Sequence, residues 1–96
     1  MWVQIFRAIT FDPAKRDATL RHRGLDFARA DEVFVGDAVT VPDERFDYGK
    51  SRNITVGYLG GRCVVVVWTW RGEDRRIISM RYALGKEERR WLGGVG

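Results

Sequence analysis

The 96-residue chain has one cysteine and one histidine, and each scarcity closes off a class of protein. With Cys63 alone, no intramolecular disulfide forms, so this is not a small secreted scaffold held by cross-links. Cys63 also sits in a run of valines, where it reads as a small buried hydrophobe rather than a reactive thiol. With His22 alone beside it, no convincing zinc-ligand spacing exists. Membrane spans are missing too: residues 1–11 are apolar but hold Arg7, meet Asp12 and lack the cationic start of a signal peptide. The cytoplasm is the expected compartment. No repeat, low-complexity tract or compositional break divides the sequence, and 45% hydrophobic residues suit a single domain over 1–96 with one modest core.

What is present is positive charge. A formal net charge of +4 and a pI near 9.7 favour an acidic partner such as nucleic acid. The basic residues are spread over Lys15, Arg16, Arg21, Arg23, Arg75, Arg76, Arg81, Lys86, Arg89 and Arg90. No dense tail carries the charge, so binding would use folded surface.

Asp12-Pro13 reads as a helix start, with the carboxylate capping free amides and proline at the first helical position. The helix is expected to run to about His22 and stop at Gly24. Lys15 and His22 then lie nearly in line two turns apart, suited to a phosphate and a proton-transfer group, or simply to a solvated helix edge. Residues 26–34 read as a second short helix capped by Asp26, with Phe27, Ala30, Val33 and Phe34 turned inward. Residues 38–41 make a short strand, 42–50 a charged loop, 86–92 a terminal helix, and 93–96 a frayed end.

Between these lies an antiparallel meander. Residues 52–59 alternate, with Ile54, Val56 and Tyr58 on one side and Asn53, Thr55 and Gly57 on the other. Residues 63–70 are β-branched and aromatic at both parities, as in a central strand covered on both faces. Gly60-Gly61 supplies the positive φ of a two-residue primed turn, and Gly72 marks the next reversal. A two-residue first loop and a four-residue second loop set Arg52 beside Thr69 and Thr69 beside Arg76. One face then holds Ile54, Val56, Tyr58, Val65, Val67, Ile78 and Met80 and is expected to pack on helices, with Arg52 and Arg76 at its rim. The other holds Asn53, Thr55, Arg62, Val64, Val66, Trp68, Trp70, Arg75, Ile77, Ser79 and Arg81, and is the expected working surface.

Taken together, residues 11–15 opening a helix, Arg23-Gly24-Leu25-Asp26-Phe27, Val33-Phe34, Asp47-Tyr48-Gly49 with Arg52, Gly61-Arg62, Thr69 with Arg71-Gly72, and Arg76-Ile77-Ile78-Ser79-Met80-Arg81 with Ala83 resemble the BrnT-type toxins of bacterial type II toxin–antitoxin systems. The resemblance implies an α+β, RelE-like ribonuclease: two N-terminal helices packed on an antiparallel β-sheet meander, then a short C-terminal helix. It further implies no metal or organic cofactor and a cognate BrnA-type antitoxin with a ribbon-helix-helix part. DNA would be reached only through the antitoxin complex. Relative to the family pattern, His22-Arg23 replaces Lys-His before the glycine, so His22 stands one position off the usual histidine. Lys50, Tyr82, Thr19 and Trp91 also depart from it.

Metal-free RNA cleavage sends a 2′-hydroxyl onto its neighbouring phosphorus, and the developing phosphoryl charge must meet prearranged donors. Arginine offers two parallel N–H groups and never loses its charge. Arg81 with Ser79 is therefore the first choice of clamp and Arg52 and Arg76 the second. Lys15 and Arg62 would hold flanking phosphates, and Trp70 or Trp68 would stack a base. His22, Tyr48, Tyr82, Asp43, Glu44 and Asp47 are the candidate bases. A salt bridge to an acid is the alternative for Arg76 and Arg81, and a non-catalytic RNA- or antitoxin-binding module is the alternative function.

Overall fold

The computed structural model describes residues 8–43 and 52–93. The fold is α+β. Strands β1 (Ile9–Phe11), β2 (Val39–Pro42), β3 (Asn53–Leu59), β4 (Arg62–Arg71) and β5 (Asp74–Tyr82) accompany helices α1 (Pro13–Arg23), α2 (Ala30–Val35) and α3 (Gly85–Leu92). They form one mixed sheet in the order β1-β5-β4-β3-β2. The meander β3 to β5 is antiparallel as expected; β2 extends it with an antiparallel strand on β3, and β1 adds a parallel strand against Arg75, Arg76 and Ile77. The apolar N-terminal segment gave no alternation from which to foresee it. Asp47, Tyr48, Gly49 and Lys50, with Glu44 and the expected fraying of residues 94–96, lie outside the described residues.

Local chemistry sets the helix ends where the sequence indicated. The Asp12 carboxylate accepts from Ala14 N–H at 2.9 Å, and Gly24 closes α1 with φ 72° while its N–H reaches Leu20 O. Asp26 caps Ala28 N–H at 2.9 Å, but the expected second helix is split. Phe27–Arg29 is a 3-10 turn, and only then does α2 begin.

The turn register holds. Gly60 and Gly61, at φ 59° and 81°, join Leu59 to Arg62, and Thr69 faces Arg76. Beyond that point β5 carries a bulge: Trp68 faces Ile77 and Val67 faces Ser79, so Ile78 is an extra residue. A bulge shifts every later side chain to the opposite face. Ser79 and Arg81 therefore join Ile54, Val56, Val65 and Val67, and Met80 crosses to the other side.

The roles of the two faces are also reversed. Val64, Val66, Trp68, Ile77 and Met80 pack with Leu25, Phe27, Ala30 and Val33 in the main core. Opposite them, Val56, Cys63 and Val65 meet Trp91 and Leu92 of α3. Thr55 and Gly57 looked like solvent positions because they are small or polar, but both are core. Thr55 is fully buried, and its hydroxyl accepts from Trp68 Nε1 at 2.8 Å. Gly57 lets α2 approach so closely that a Cβ there would lie 2.8 Å from Val33 Cγ1. Helix α1 buries no residue and flanks β5 past the end of β1. It is tied there by Arg23 Nη1 donating to Met80 O at 2.8 Å.

Candidate active site

The bulge builds a cavity of about 490 Å³ on the α3 side of the sheet. Its walls include Arg52, Ser79 and Arg81 together with Asp43, Glu87 and Trp91. Three of the residues singled out from sequence thus converge, although on the face expected to be helix-packed core. Arg76 shares that face through its pairing with Thr69 without lining the cavity.

A second crevice of about 410 Å³ lies between α1 and β5, lined by Lys15, Thr19, His22, Arg23 and Phe27. Ile78 and Ser79 line both spaces. The side chains of Lys15 and His22 therefore share a concave surface that meets the arginine cavity at the bulge. The two-turn spacing on α1 is what aligns them.

Arg62, Trp68 and Trp70 do not belong to this site. Their parity puts them on the other face of the sheet. Arg62 stacks on the Tyr82 ring, 3.9 Å from its centroid. Trp68 is buried in the core, and Trp70 packs edge-on against it at 4.9 Å, with the Arg75 guanidinium 5.4 Å from the Trp70 ring. Arg62 and Trp70 therefore lie on the opposite face of the sheet from Arg81.

Arg81 is engaged by an acid that the sequence reading did not name. Its Nη1 and Nη2 donate to the two oxygens of Glu87, each at 2.8 Å. Glu87 Oε1 also accepts from Leu84 N–H at 2.8 Å, which anchors the first turn of α3. Those bonds, Arg81 first and the Leu84 amide second, hold the Glu87 carboxyl down at about 2. One residue on, Glu88 accepts the Tyr58 hydroxyl at 2.7 Å. That bond and partial desolvation push the Tyr58 phenol up to about 12. The readable signal for Glu87 was its place three residues after Leu84 at a helix start, where an acid reaches back to the chain. Asp43 is buried at the end of β2, its N–H donating to Arg52 O at 2.8 Å.

Chemically, the cavity pairs guanidinium donors with carboxylates and a hydroxyl, a set suited to binding a phosphodiester and moving a proton. Among the described residues, no group of three or more His, Cys, Asp or Glu side chains is placed to hold a metal ion. No helix among them is long and apolar enough to cross a membrane.

No individual curated protein matches the chain. The family model described as the ribonuclease toxin BrnT of type II toxin–antitoxin systems matches residues 11–87, a span that holds both cavities apart from Trp91. The chain therefore belongs to the BrnT family of ribonuclease toxins, whose substrate is RNA and whose partner is an antitoxin.

Proposed function

We propose that the chain is a metal-independent endoribonuclease that cleaves RNA in the arginine cavity and thereby arrests growth and translation. The observation that carries this reading is the convergence of Arg52, Ser79 and Arg81 in one cavity, joined at Ser79 to the crevice of Lys15 and His22. An RNA strand would pass over the bulge, with Lys15 on a flanking phosphate and the scissile phosphate beside Ser79. The 2′-hydroxyl attacks the adjacent phosphorus as its proton passes to a base, the bond from phosphorus to the 5′-oxygen breaks, and that oxygen takes a proton from solvent as the 2′,3′-cyclic phosphate forms. Arg81 and Arg52 stabilise the equatorial oxygens, with Arg76 adding positive potential from the same face. Asp43 and His22 are the candidates for the base, one from each side of the bulge.

Inhibition is assigned to a BrnA-type, ribbon-helix-helix antitoxin that covers the cavity face, with DNA reached only through that complex. The RelE-like architecture and a cytoplasmic location belong to the same reading. A non-catalytic binding module is the second reading, favoured by one observation: the terminal N–H groups of Arg81 are already held by Glu87.

Inducible expression in a bacterial host separates the two. Growth arrest with falling messenger RNA supports the enzyme; normal growth with abundant folded protein supports the module.

A further inference from the structure

Arg81 meets Glu87 with both terminal nitrogens, in the parallel geometry by which an arginine takes two oxygens of a phosphate. A carboxylate and a phosphodiester each present two anionic oxygens, so they compete for the same edge of the guanidinium. We infer that Glu87 is an internal competitor for the RNA phosphate at Arg81: substrate engages this arginine by exchanging places with Glu87, and α3 thereby sets the affinity of the site. The inference rests on the ribonuclease reading of the cavity and deepens it.

Four observations make the exchange physically reasonable. Glu87 stands in the cavity wall with Ser79 and Arg52, so an incoming phosphate meets it directly. The pair is not sealed, with side-chain accessibilities of 43% for Arg81 and 23% for Glu87. Glu87 would also keep the Leu84 N–H bond after releasing Arg81, and Arg81 would pass from one anion to another. Neither charge is left buried and uncompensated. Helix α3 itself buries no residue, so a shift of its first turn does not open the main core.

The test is fluorescence anisotropy with a 5′-labelled 2′-O-methyl RNA, which binds but lacks the attacking hydroxyl. Glu87→Gln removes the charge while its amide oxygen still accepts from Leu84. It is expected to bind RNA roughly two- to fivefold more tightly than the native protein, the scale of a partly exposed ion pair. Glu88→Gln removes the same charge one residue away, from the partner of Tyr58, and is expected to change affinity much less. In an Arg81→Gln background the gain from Glu87→Gln should vanish. Glu87→Asp keeps the charge but shortens its reach, and is expected to give a smaller gain, which provides a second readout if the glutamine variant melts early.

Equal or weaker binding by Glu87→Gln and Glu87→Asp, with RNA cleavage by the native protein intact, would overturn the competitor role and leave the ribonuclease reading standing. A gain reproduced by Glu88→Gln would also overturn it, as a general charge effect. Loss of both RNA binding and cleavage in the native protein would remove the two readings together.

Discussion

Ser79, not Ile78, stands opposite Val67 across β4 and β5. That one-residue offset puts Arg81 in the cavity rather than in the main core. Deleting Ile78 would restore the regular ladder with Ile77 still opposite Trp68, Ser79 opposite Val67 and Arg81 opposite Val65, and so would leave Ser79 and Arg81 on the cavity face. The deletion variant is expected to keep a cooperative melt by circular dichroism while losing the wall that Ile78 gives to both spaces; loss of the melt would show that the fold itself requires the bulge.

Arg81→Lys keeps the positive charge but loses the two-pronged donor. If Arg81 meets the further charge that develops in the transition state, beyond its contact with bound RNA, single-turnover cleavage of a short RNA should fall roughly 100- to 1,000-fold at saturating enzyme. Affinity for the uncleavable RNA should fall far less, because lysine keeps the charge that faces the bound phosphate. Equal cleavage rates from two equally folded proteins would move the clamp to Arg52 and Arg76. Lys15→Ala is expected to act differently, weakening binding and flattening its salt dependence without slowing the bound reaction.

The acid limb of stability should report the Arg81–Glu87 pair. Glu87 is held at about 2 against an ordinary 4.5, so the folded state binds that proton less readily than the unfolded chain. The stabilisation is complete above about 4.5, declines as pH falls, and is lost on passing about 2. Carbon-13 NMR of the Glu87 carboxyl should show a midpoint well under 4; a midpoint near 4.5 would mean that the pair does not persist in solution.

Thr55→Val tests the buried polar contact of the core. Thr55 Oγ1 accepts from Trp68 Nε1 and bonds the Thr40 hydroxyl at 2.7 Å, so valine leaves the indole N–H without that acceptor. A loss of about 1–3 kcal/mol is expected, seen as a fall in Tm of roughly 5–15 °C for a domain this small. An unchanged Tm would show that the indole finds another partner.

Gly57→Ala places a methyl group 2.8 Å from Val33 Cγ1 and 3.0 Å from Ala38 Cβ. Overpacking of this kind costs about 1–3 kcal/mol. Because the clash is largely with one side chain, Val33→Ala should recover part of the loss in the double variant, a non-additivity that urea titration can measure.

The sequence made the turns, the caps and the strand pairing next to each turn legible because each depends on neighbouring residues. Asp12 acts through its carboxylate on the amide two residues on, and Gly24, Gly60 and Gly61 act through their own backbones. The choice of face was not legible. β4 is apolar at both parities, so Val64 and Val65 are equally plausible core residues, and Thr55 and Gly57 look solvent-facing until Trp68 and Val33 arrive from elsewhere in the chain. The bulge at Ile78 has no glycine or proline to announce it. The same limit applies to the cavity: arginine and serine were identifiable as phosphate chemistry, but their joining in one place, and their pairing with Glu87, required the three-dimensional path of β5 and α3.

Cys63 is the only sulfhydryl in the chain, and it is buried among the residues that pack against Trp91 and Leu92. Burial also pushes its thiol up, which disfavours the thiolate needed for attack. While the terminal helix is seated, two copies cannot be oxidised into a covalent dimer, so air-oxidised preparations should run as single chains on non-reducing gels. Dimer bands would instead count the molecules in which that helix had lifted away.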